Sequence, residues 1–118
     1  MNQKFDLLQK SIDRENIWSL AEIQNLVTQG EMQVWERENA IALTGIEQHK
    51  DGDVVVILLA GGNLSELQEI EKEIEQFAIS QNCKRIYING RKGWEKALEG
   101  YQVHNVVLKK DLPDERRT

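Results

Sequence analysis

The run Asn89-Gly90-Arg91-Lys92-Gly93-Trp94 sets two cations between two glycines, where a strand pattern gives way to a helix pattern. Neighbouring guanidinium and ammonium groups in a turn can grip a phosphate or a carboxylate. Arg91 and Lys92 are therefore candidate contacts for an anion or a protein partner, although exposed basic turns are also common without any ligand. Tyr87 and Tyr101 flank this stretch, and each phenol can give or take a proton. Trp94 could clamp a ligand, but a tryptophan opening a short helix more commonly anchors a core. His49 and His104 stand far apart, with no Cys, His or Asp spacing that implies a metal or a triad. Cys83 is the single cysteine, so an internal disulfide and a cysteine-based metal site are excluded. It reads as a small apolar side chain rather than a nucleophile. Glu66, Glu69, Glu73 and Glu75 lack the company of a metal site and read as a solvated helix face. No catalytic residue is identified; Glu31, Glu36 and Glu47 are available as bases without local support.

These residues sit in a chain of 118, enough for one domain, expected over residues 1–112 with a polar tail at 113–118. Hydrophobic residues make up 40% and charged residues 30%, an ordinary soluble composition. The longest apolar run, Val54 to Ala60, is strand-sized and far short of the roughly 20 residues that cross a bilayer. Met1 to Asp6 holds no apolar signal core, so a cytoplasmic setting is expected. Net charge is −5, unevenly spread. Residues 1–83 hold six Lys and Arg against fifteen Asp and Glu, a net of −9; residues 84–118 hold nine against five, a net of +4. An acidic whole argues against general nucleic-acid binding, which needs clustered cations. The basic C-terminal third suits one small anion or an acidic patch on a partner protein.

The elements that must position these groups can be read in order. The spacing of Phe5, Leu8 and Ile12 predicts an amphipathic helix over residues 4–12. Ser19-Leu20-Ala21-Glu22 is a capping box, with Trp18 and Ile23 as its hydrophobic staple, and Gly30 ends that second helix. Strands follow at 32–37 and 40–48, and Gly52 turns the chain into an apolar strand at 54–60 that should be covered on both faces. Asn63 and Glu66 offer a second capping pair for a long helix to about Asn82, with Leu64, Leu67, Ile70, Ile74 and Phe77 as its apolar stripe. A strand at 84–89 alternates, with Ile86 and Ile88 one way and Tyr87 the other. A short helix at 94–98 and a last strand at 101–108 complete the order ααβββαβαβ. This predicts an α/β (α+β) fold with a mixed sheet of about five strands and helices on both faces.

That order, together with Gly90-Arg91-Lys92-Gly93-Trp94 after a strand, Gly30-Glu31-Met32-Gln33-Val34-Trp35 and Leu59-Ala60-Gly61-Gly62, resembles a group of phage-encoded proteins with the GNAT fold of N-acetyltransferases. The resemblance covers about residues 18–112. It implies a GNAT-like sheet, acetyl-CoA as ligand and transfer of an acetyl group to an amine. It places the cofactor's pyrophosphate at Gly61, Gly62 and Asn63. Glycines there would allow close backbone approach, and a helix start attracts anions; a tight strand-to-helix turn needs glycine equally. The run Ala60-Gly61-Gly62-Asn63-Leu64-Ser65 departs from the family's Gln/Arg-x-x-Gly-x-Gly/Ala arrangement. Position 96, where the family places a proton-donating Tyr, is Lys96. The alternative function is a non-catalytic GNAT-fold module that binds protein, as a virion component or a host-targeting protein. No metal is implied.

Overall fold

The computed structural model describes residues 19–89 and 93–113. The expected helix at 4–12, Trp18 of the staple, Gly90, Arg91 and Lys92, and residues 114–118 lie outside the described residues. The described elements are α1 (Leu20–Thr28), β1 (Gln33–Arg37), β2 (Ala40–His49), β3 (Gly52–Gly62), α2 (Leu64–Ser80), β4 (Ile86–Ile88) and α3 (Trp94–Ala97). They make a mixed α+β fold around one four-stranded sheet in the order β1-β2-β3-β4.

α1 starts as its sequence predicts. The Ser19 hydroxyl accepts from the Glu22 N–H at 3.2 Å, and the Ser19 N–H donates to Glu22 Oε1 at 3.1 Å. Two otherwise orphaned donors are thereby satisfied. β1, β2 and β3 form an antiparallel meander. Between Leu43 and Thr44 the register shifts, because Leu43 faces Leu59 while Thr44 faces Ile57. Leu58 is the extra residue of a bulge, which bends β3 and increases its twist. The crossover through α2 then brings β4 parallel to β3, with Val55, Val56 and Ile57 facing Ile86, Tyr87 and Ile88.

Helices cover both faces, and each face has its own core. Under α1, Ile23 packs with Met32, Ile41, Leu43 and Leu59. Under α2, Ala40, Ala42, Val55 and Ile57 meet Leu67, Ile70, Ile74 and Ala78, with Trp35, Phe77 and Trp94 around them. The alternation of β2 explains the division: odd residues 41 and 43 face α1, even residues 40 and 42 face α2. Trp94 is half-buried against the second core, as the anchoring role predicts.

The predicted fifth strand does not form. Residues 101–113 carry no regular structure and lie outside the sheet. β4 spans three residues and offers little edge to follow. Tyr101 is held on the α2 side by Glu71, whereas His104 lies against Tyr87 on the opposite face. The chain thus crosses the edge of β4, and the Val103 N–H donates to Glu95 Oε2 at 3.2 Å instead of to a neighbouring strand.

Candidate functional site

The predicted Gly61, Gly62 and Asn63 lie at the junction of β3 with α2, and Trp94 lies beyond the end of β4. At the junction, β3 runs to Gly62 and α2 begins at Leu64, so Asn63 alone separates them. Gly61 pairs with Ile41 and Gly62 with Ala40. Gly62 has φ +114°, and a Cβ there would lie 2.6 Å from Ala40 Cα and closer still to the Asn39 carbonyl oxygen. Its glycine is accounted for by the approach of the β1–β2 turn. The Asn63 N–H donates to that same Asn39 carbonyl at 2.8 Å, and Asn63 Oδ1 accepts from the Glu66 N–H at 3.0 Å. The Glu66 carboxylate does not reach back to Asn63, as a full capping box would require. It accepts from the Asn39 N–H at 2.8 Å, which pins the β1–β2 turn to α2.

β4 ends beside Ile57, whose carbonyl accepts from the Asn89 N–H at 3.3 Å. Trp94 and Leu98 lie with Ala60 and Ile88 around an apolar cavity of about 20 Å³. The Gln68 amide donates to the Ala97 carbonyl at 2.9 Å and fixes α3 over this cleft.

Glu71 borders the same cleft, a buried carboxyl on the inner side of α2. Burial and, secondarily, the neighbouring Glu75 push it up to about 7, against a smaller downward pull from the Tyr101 hydroxyl that donates to it at 2.8 Å. Burial, and then the same carboxylate, raise the Tyr101 phenol. On its other side Glu71 looks into an open groove of about 360 Å³ between α2, β4 and the 99–101 turn. The sequence reading does not single out Glu71. Its signal was position: it falls four residues after Leu67 and three before Ile74, on the buried stripe of α2.

The other candidates are spread out. Glu69 and Glu73, read as a solvated face, both hold Arg37 of β1, the former at 3.3 Å. His49, Tyr87 and His104 stack, with centroids 5.4 Å and 5.2 Å apart. His49 Nε2 also lies 3.3 Å from Glu47 Oε1. Cys83 is half-buried, and burial raises its thiol. Arg85 pairs with Asp51, whose carboxyl it holds below the usual range. Among the described residues, no cluster of three His, Cys, Asp or Glu could hold a metal, and no helix is long and apolar enough to cross a membrane.

No family model and no curated protein matches the chain. Two solved structures of one protein from Thermus thermophilus are similar to it. The crystal structure of wild-type TTHA1254 aligns with 83% of this chain and 82% of its own, at TM-score 0.57 and 19% identity. A point mutant of TTHA1254 aligns with 84% and 83%, at TM-score 0.59 and 18% identity. At that identity the likeness is one of fold alone.

Proposed function

We propose that the chain is a non-catalytic binding module on a GNAT-like scaffold that presents its basic C-terminal third to an acidic protein surface, as a phage-encoded virion component or host-targeting protein would. The observation that carries this reading is the closed β3–α2 junction. There, Gly62 is packed on Asn39, the Asn63 N–H is spent on the Asn39 carbonyl, and the Glu66 carboxylate stands at the helix start. A pyrophosphate at Gly61, Gly62 and Asn63 would meet like charge and committed donors. The missing family arrangement at 60–65 and Lys96 in place of Tyr agree with it.

Calorimetric titration tests the reading. No saturable heat is expected with millimolar acetyl-CoA. Saturable binding that is lost in Ser65→Glu would overturn it; Ser65 is exposed in the first turn of α2, whereas Gly62→Glu would break the fold. In pull-downs from host or infected lysate, Arg91→Glu with Lys92→Glu should lose the partner that the parent chain captures.

A further inference from the structure

Residues 105–113 leave the body of the protein as an arm. Val106, Val107, Leu108 and Leu112 are 73%, 84%, 88% and 78% exposed. Scattered exposed aliphatics are ordinary, but here four fall within one short segment outside the sheet. Lys109 and Lys110 follow the first three directly, and both are exposed.

The same chain carries a matching surface. The groove between α2 and β4 has Ala78, Ile79 and Ile86 along it and Glu75 and Glu99 among its lining residues. Ile79 is 69% exposed. Two cations also line the groove: Arg85, which is held by Asp51, and Lys84, whose stem lies over Gly52. An aliphatic run followed by two lysines thus faces, in kind, an apolar floor with acidic groups at its margin. Tyr101 and His104 take the chain across β4, so its arm leaves on the face opposite its own groove.

We infer that the arm of one copy lies in the α2–β4 groove of a second copy, and reciprocally, giving a two-fold dimer. Val106, Val107 and Leu108 cover Ile79 and Ile86, and Lys109 and Lys110 face Glu75 and Glu99. Reciprocal exchange about a two-fold axis uses both arms and both grooves, so the pair closes. This inference does not depend on the reading of the β3–α2 junction.

Sedimentation velocity of the full chain should give a species of twice 13.6 kDa, dissociating on dilution. Val107→Asp with Leu108→Asp on the arm, and separately Ile79→Glu in the groove, should each give monomers with unchanged circular dichroism, since all three positions are exposed. Lys109→Glu with Lys110→Glu should weaken the dimer. Mixing that variant with Glu75→Lys/Glu99→Lys should restore a mixed dimer. A parent chain that stays monomeric at millimolar concentration overturns the inference. So does a dimer that survives Ile79→Glu.

Discussion

The Tyr101 hydroxyl donates to Glu71 Oε2 at 2.8 Å and ties the chain after α3 to the middle of the longest helix. The carboxyl it meets is 7% exposed and raised from 4.5 to about 7. Between those pH values the folded chain keeps a proton that the unfolded chain releases. Stability should therefore fall as pH rises through this window and level off above about pH 7. Glu71→Gln keeps an acceptor for Tyr101 and removes the charge. It should flatten the pH dependence of Tm and stabilise the fold at pH 8 by about 1–2 kcal/mol, less than a full burial penalty because the groove admits solvent. Thermal melts of both proteins from pH 5 to pH 8 check this; parallel curves would refute it.

Gly62 and Gly30 both adopt positive φ, yet their surroundings differ. A Cβ at Gly62 strikes the Asn39–Ala40 backbone, whereas one at Gly30 meets nothing within 4 Å. Gly62→Ala should cost about 2–4 kcal/mol in urea unfolding, since strain and overlap add. Gly30→Ala should cost only the conformational strain, about 1–2 kcal/mol. Equal costs would show that the Asn39 contact yields.

Thr44 is fully buried and spans two partners. Its hydroxyl accepts from Trp35 Nε1 and donates to Gln33 Oε1, both at 2.9 Å. Thr44→Val keeps the shape and strands the indole N–H and the amide oxygen. The expected cost is about 1–3 kcal/mol, accompanied by a shift in tryptophan emission.

Ser19→Ala removes the hydroxyl half of the capping box of α1. A loss of about 1 kcal/mol is expected, and Ser19→Asp should recover most of it because aspartate also caps. Chemical denaturation of the three proteins decides it.

What the sequence made legible was local. The capping box, the meander, the double-covered strand at 54–60 and the inward Ile86 and Ile88 follow from neighbours a few residues apart. The last strand was misjudged because Val103 to Leu108 has strand-like composition, while pairing depends on an edge that only the tertiary structure supplies. β4 proved three residues long and already crossed. Gly62 had two explanations, ligand approach or close packing, and the distant Asn39 provides the second. Glu71 was hidden because a charge on a helix suggests solvent, and its burial arises from β4, α3 and Tyr101 arriving from later in the chain.

The short parallel ladder has a kinetic consequence. The meander joins residues close in sequence, whereas β4 must wait for the whole of α2 before Ile86 can meet Val55. Chain closure over that distance comes late in folding, and three paired residues give it little local stability. The amides that β4 protects should be the first of the sheet to exchange with deuterated solvent, while those at the centre of β2 exchange last.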